Sequence, residues 1–255
     1  MIRSLIHKIE RRWARSSSAR YIAWLRKQGV RIGSNVVFHW MDNIHVDTTR
    51  PCMVSIGNNV HFAKGLTILT HGYDWVVLLN RHGEMLASSG PVTLGNNIFV
   101  GFNVTILKGV TIGDNCIIGA ESVVTRDIPA NSVAVGNPAH VICTMDQYHE
   151  KRKAAQLKEA AAYVQKIREN LGREPRVSDF WEEFPLFMSG EGDELGLPVR
   201  GQLGPFYDSF KQHHKAPFAS FEAFIQACNG IISEHLCPDV HRHSLHERIR
   251  SRSFL

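Results

Sequence analysis

Apolar residues recur along the middle of this chain at a spacing of six. From Leu94 to Pro129, consecutive hexads open with an aliphatic residue at Leu94, Val100, Ile106, Ile112, Ile118 and Val124. The fifth place of each hexad is again small or apolar: Ile98, Val104, Val110, Cys116, Ser122 and Ile128. Turn formers fill the polar places, as in Gly95-Asn96-Asn97 and Gly113-Asp114-Asn115. A hexad is too short for a helix that buries its own face. It suits a short strand and a tight corner. Val and Ile pack well on a pleated surface, and Gly and Asn accept the left-handed backbone that corners use. A short fixed period predicts a parallel β-helix in which three hexads close one coil.

The pattern continues upstream, with hexads opening at Ile56, Phe62 and Ile68 and a rougher set at Ile32, Phe38 and Ile44. Residues 50–55 break the register. A larger break at 74–91 reads as a loop thrown out from a corner between two coils, and long loops in compact repeats are more often functional than accidental. Residues 1–31 read as a helical N-terminal cap, in one segment to about Ser16 and a second over Tyr21–Lys27 ending at Gly29. Residues 32–143 form the solenoid and 144–255 a helical C-terminal extension. In that extension Ala154, Ala155, Leu157, Ala160, Ala161, Val164 and Ile167 predict a helix from Met145 to Leu171, stopped by Gly172. A short helix is expected over 220–232. The aromatic stretch Phe180–Phe187 is expected to dock on the solenoid or on a neighbouring molecule.

The segment from Val92-Thr93-Leu94-Gly95-Asn96-Asn97 to Gly136-Asn137-Pro138-Ala139-His140-Val141-Ile142 resembles the hexapeptide-repeat acyltransferases. Within them it is similar to the sugar O-acetyltransferases and xenobiotic acetyltransferases. The resemblance covers under half of the chain. It implies a mainly β fold whose parallel β-helix is left-handed, an exception to the usual crossover rule. It also implies a homotrimer with acetyl-CoA lying in the groove between subunits.

Composition narrows the setting. Apolar residues make up 44% of the chain, enough for a real core, and the formal net charge is +5. No apolar run is long enough to span a bilayer, and the first residues lack a secretory h-region. The five cysteines follow no paired spacing, which fits free thiols in a reducing cytoplasm. Cys116 occupies an inward position and is expected to act as a small hydrophobe. Basic residues gather at both ends. An N-terminal helix with Leu5, Ile6, Ile9 and Trp13 on one side either caps the solenoid or makes weak contact with an anionic membrane surface. Nucleic acid is not an expected partner, because no motif or interleaved aromatic-basic stripe is present.

Transfer of an acyl group from a thioester to a hydroxyl needs an oriented acceptor, a base and a donor to the developing oxyanion. Histidine suits the base role at neutral pH. Among fourteen histidines, His71 in Thr70-His71-Gly72-Tyr73-Asp74 is best placed, where a coil gives way to the long loop. A structural histidine closing that corner is the alternative. The resemblance implies that a His-x-x-Asp at this junction supplies the base, with Asp74 as the orienting partner. In galactoside- and maltose-type relatives the catalytic histidine lies in a Gly-x-His sequence, which here reads Gly101-Phe102-Asn103. Asparagine is no base at neutral pH. Asn103 is left to bind the acceptor, the coenzyme or His71, or to serve as a plain turn residue. Tyr73 and Trp75 are candidates to stack on a sugar ring or to pack on a neighbouring subunit.

For the coenzyme, the resemblance implies that Gly101, Gly119 and Ala120 flank the pantetheine arm and that Arg126 and His140 meet the phosphates. Lys108 and Lys151 are weaker candidates. No metal is expected. His39 and His45 raise the possibility of a β-helical zinc site, but the later coils 94–129 hold no histidine. The tail histidines His235, His241, His243 and His246 read as part of a basic tail. The function expected is an acetyl-CoA-dependent O-acetyltransferase acting on a sugar hydroxyl, of a surface-polysaccharide precursor or similar small alcohol. The alternatives are N-transfer to an amino sugar and a silent trimeric scaffold.

Overall fold

The computed structural model describes residues 10, 12–189 and 196–236. The apolar side of the proposed N-terminal helix at Leu5, Ile6 and Ile9, and the tail histidines His241, His243 and His246, lie outside the described residues. The chain divides into two compact units, one ending at Glu150 and the other beginning at Lys151.

The first unit is a four-coil parallel β-helix. Its coils are β1 (Arg31–Ile32), β2 (Val37–Phe38) and β3 (His45–Val46); β4 (Val54–Ile56), β5 (Val60–Phe62) and β6 (Thr67–Ile68); β9 (Val92–Leu94), β10 (Ile98–Val100) and β11 (Thr105–Ile106); and β12 (Thr111–Ile112), β13 (Cys116–Ile118) and β14 (Val123–Val124). The strands stack into three sheets: β1-β4-β9-β12 forms the first, β2-β5-β10-β13 the body of the second and β3-β6-β11-β14 the third. Each hexad-opening residue from Leu94 to Val124 is no more than 2% exposed. Cys116 and Ser122 are buried at the fifth places, as the spacing requires. Full burial of one such aliphatic side chain contributes about 1.5–3 kcal/mol.

The coils approach closely enough to constrain the corners. A Cβ on Gly101 would lie 2.7 Å from the Ala120 amide nitrogen, and one on Gly119 would lie 2.5 Å from Val135 Cγ1. At the corner between the first and second sheets, Asn35, Asn59, Asn97, Asn115 and Asn131 all have positive φ. Asparagine tolerates that region better than other side-chain-bearing residues. Its amide also bonds the next coil, as from Asn97 Nδ2 to Asn115 Oδ1 at 2.9 Å.

A helix covers the N-terminal end of the stack. Helix α1 (Ser18–Gln28) begins at the Ser17 cap and ends at left-handed Gly29. It buries Tyr21, Trp24 and Leu25, and Tyr21 meets Phe38 edge-on at 5.2 Å. At the other end β15 (Ser132–Val135) extends the second sheet and pairs antiparallel with β16 (His140–Thr144). The break at 74–91 contains structure of its own. Helix α2 (Trp75–His82) lies within it, and β8 (Ser88–Ser89) returns to pair antiparallel with β7 (His71–Gly72).

Helix α3 (Met145–Leu171) runs from the first unit into the second, and Gly172 follows it with φ of 61°. The second unit also contains α4 (Val199–Leu203), α5 (Tyr207–His213) and α6 (Phe221–Leu236). Phe180, Phe184 and Phe187 are buried in this unit's own core with Val164, Ile167 and Phe224. The aromatic segment expected to dock elsewhere is therefore consumed locally. Trp181 stays exposed. Among the described residues, no helix is long and apolar enough to cross a membrane.

Candidate active site

Strand β6 stacks on β3 with Ile68 beside Val46. The residues that leave β6 consequently pass over those that leave β3, which brings Thr70 and His71 onto Asp47. Asp47 is buried. Its Oδ1 accepts from the Thr49 amide at 2.9 Å and the Thr49 hydroxyl at 2.7 Å. Its Oδ2 accepts from the Thr70 amide at 3.1 Å and the Thr70 hydroxyl at 2.5 Å. Burial by itself pushes the Asp47 carboxyl up. The hydrogen bonds from Thr70 and Thr49 outweigh it and hold the group well below the usual carboxylate range.

His71 Nδ1 lies 2.7 Å from the same Oδ2. An ionised carboxylate only accepts hydrogen bonds. Nδ1 must carry the proton, and in neutral His71 the lone pair then resides on Nε2. The carboxylate hydrogen-bonded to His71 is thus Asp47, whereas the sequence pattern had suggested Asp74. Asp74 is exposed and opens α2, making no side-chain cap bond. Its Oδ1 lies over Gly72, 2.2 Å from where a Cβ would stand.

A cavity of about 360 Å³ opens beside the histidine, lined by Arg50, His71, Tyr73, Trp75, Met85 and Ser88 among others. The Tyr73 ring stands edge-on to His71 with centroids 5.3 Å apart, and Trp75 lies 6.4 Å from Tyr73. The structure therefore gathers His71, Tyr73 and Trp75. It adds Arg50, Asp47, Thr49 and Thr70, which the sequence reading passed over. Laying the coils one above another exposes the signal: Asp47 and Thr48 fall beneath Leu69 and Thr70, placing an acid below the histidine junction.

The other candidates lie apart from this cavity. Asn103 sits at a corner with φ of 54°, and its Nδ2 donates to Glu121 Oε1 at 2.7 Å. Gly101 is buried, and stacking on Ala120 accounts for its lack of a side chain. Ala120, Arg126 and His140 are exposed and Gly119 is half-buried. His39 Nε2 lies 3.0 Å from His61 Nδ1, while His45 belongs to a different sheet.

The family model and the sequence relatives agree with this architecture. The family described as bacterial transferase hexapeptide (six repeats) matches residues 91–126. Galactoside O-acetyltransferase of Escherichia coli (strain K12) is 44% identical over 113 residues, which is 44% of this chain and 53% of the relative. The chain thus spans about half the length of that relative. Protein CapG of Staphylococcus aureus is 35% identical over 146 residues, covering 57% of this chain and 81% of CapG. A hexapeptide-repeat-containing acetyltransferase from Vibrio cholerae O1 biovar eltor, solved in complex with acetyl coenzyme A, is 26% identical with a TM-score of 0.33. That likeness covers 45% of this chain and 60% of the solved one. With its stacked hexapeptide coils and this extended match to CapG, the chain belongs to the hexapeptide-repeat acetyltransferase family.

Proposed function

We propose that this protein transfers the acetyl group of acetyl-CoA to a sugar hydroxyl, with His71 as general base. The observation that carries this reading is the saturated Asp47 carboxylate, which fixes the proton of His71 on Nδ1 and leaves Nε2 to accept one. In the reaction Nε2 takes the hydroxyl proton as the acceptor oxygen forms its bond to the thioester carbonyl carbon. The carbon–sulfur bond then breaks, and the proton passes from Nε2 to the departing thiolate. Asp47 stabilises the imidazolium formed in between. No covalent enzyme intermediate is required, because the thioester is already activated.

Tyr73 and Trp75 offer aromatic faces to a pyranose ring. Arg126 is an exposed cation and His140 an exposed imidazole donor, both suited to the coenzyme phosphates, with Gly119 and Ala120 beside the pantetheine arm. Following the family pattern, we place the coenzyme between subunits of a homotrimer and the enzyme in the cytoplasm. The galactoside O-acetyltransferase relative supports a sugar acceptor.

The test is titration calorimetry with acetyl-CoA, together with thiol release across a panel of sugars, for wild type and His71→Ala. The expected result is similar acetyl-CoA affinity for both proteins and a loss of transfer of about 10²- to 10⁴-fold in the variant. Equal transfer by the two proteins would remove His71 from the chemistry.

A further inference from the structure

We propose that the cavity beside His71 receives an acceptor bearing a carboxylate or phosphate, and that the Arg50 guanidinium binds this negative group. The inference rests on the reading above that the acceptor hydroxyl approaches His71 Nε2, and it names the class of sugar that does so. Arg50 lines the same cavity as His71. Its Nη1 is buried and has no hydrogen-bond partner. Among the described residues, Arg50 is in no ion pair. No aspartate or glutamate lines the cavity. The carboxylate at the base of the site, Asp47, is already engaged by Thr49, Thr70 and His71.

A buried cationic donor without a partner is costly, and buried polar groups in native proteins are nearly always satisfied. A guanidinium fork matches the geometry of carboxylate and phosphate oxygens. The cavity thus offers an aromatic side at Tyr73 and Trp75, a base at His71 and a cation at Arg50, which is the complement of a charged monosaccharide. The coenzyme's own phosphates are separated from its thioester by the whole pantetheine arm. A cation in the cavity of the base accordingly serves the acceptor.

The experiment compares glucose, glucuronate, glucose 6-phosphate and inorganic phosphate as ligands by titration calorimetry. It uses the full chain as wild type, Arg50→Gln and Arg50→Lys, and the three sugars are also assayed for acetyl transfer. The expected result is that wild type binds an anionic sugar at least about tenfold more tightly than glucose. Arg50→Gln should abolish that ratio and Arg50→Lys restore part of it. Preference for glucuronate or for glucose 6-phosphate identifies the group. Equal binding of neutral and anionic sugars, or no binding of any, would overturn the inference, the guanidinium then being taken by another partner such as a second copy of the chain. An unchanged ratio in Arg50→Gln, or a loss of acetyl-CoA affinity instead, would also overturn it. Charge-dependent binding, with transfer that persists undiminished in His71→Ala, would sink the His71 reading and leave the Arg50 subsite standing. Transfer without charge preference would do the reverse.

Discussion

At the corner between the second and third sheets, Asn43, Gly65, Asn103 and Glu121 stack one per coil, each with positive φ. Asn103 hands its amide to Glu121, and Gly65 lacks a side chain where Asn103 Oδ1 would stand 2.0 Å from a Cβ. The corner that follows β6 is built from the same materials and ends differently. Asp47, Thr49 and Thr70 satisfy one another, but His71 keeps one nitrogen for a visitor, and the Arg50 guanidinium beside it has a bare buried donor. Where the repeat is obeyed, polar groups are consumed down the stack. Where it is interrupted by the segment 74–91, they are held in place by the coil below and left open on one side. Rigid coils beneath an irregular loop give both preorganisation and access.

Removing the support while leaving the base in place gives the largest break of this contrast. Asp47→Asn presents an amide that cannot accept from all the donors around it, and it releases His71 from its tautomer. The expected outcome is a fall in kcat of about 10²-fold or more, with acetyl-CoA affinity retained in titration calorimetry. A wild-type kcat would show that His71 needs no orienting carboxylate. The closed corner should respond differently. Asn103→Ala loses one inter-coil hydrogen bond and puts alanine at positive φ, so thermal denaturation should show a loss of about 1 kcal/mol. A tenfold rise in acceptor KM without loss of stability would instead move Asn103 into the site.

The two corners were unequally legible in the sequence. The hexad openers and the Asn and Gly corners follow from spacing, because each coil repeats the same packing problem. The helix of 145–171 was readable from its alanine pattern and Gly172. His71 stood out at the end of a regular coil, and Tyr73 and Trp75 came with it. Asp47 did not, because its role depends on a contact 24 residues away across the irregular stretch at 50–55. Asp74 is nearer in sequence and was the natural partner on paper, yet the chain turns into α2 there and carries its carboxylate over Gly72. Helix α2 was missed for a related reason. Its Val76, Val77 and Leu79 are exposed, so their pattern does not report a buried face. The aromatic run at 180–187 showed its hydrophobicity but not its destination, since its partners in α3 and α6 are distant in sequence.

The most direct test of the account is nitrogen NMR of His71 in the free protein at neutral pH, assigned by comparison with His71→Ala. The neutral imidazole is expected to carry its proton on Nδ1, with Nε2 as an acceptor. A neutral ring protonated on Nε2 would make His71 a hydrogen-bond donor toward the cavity, and would contradict its assignment as the base.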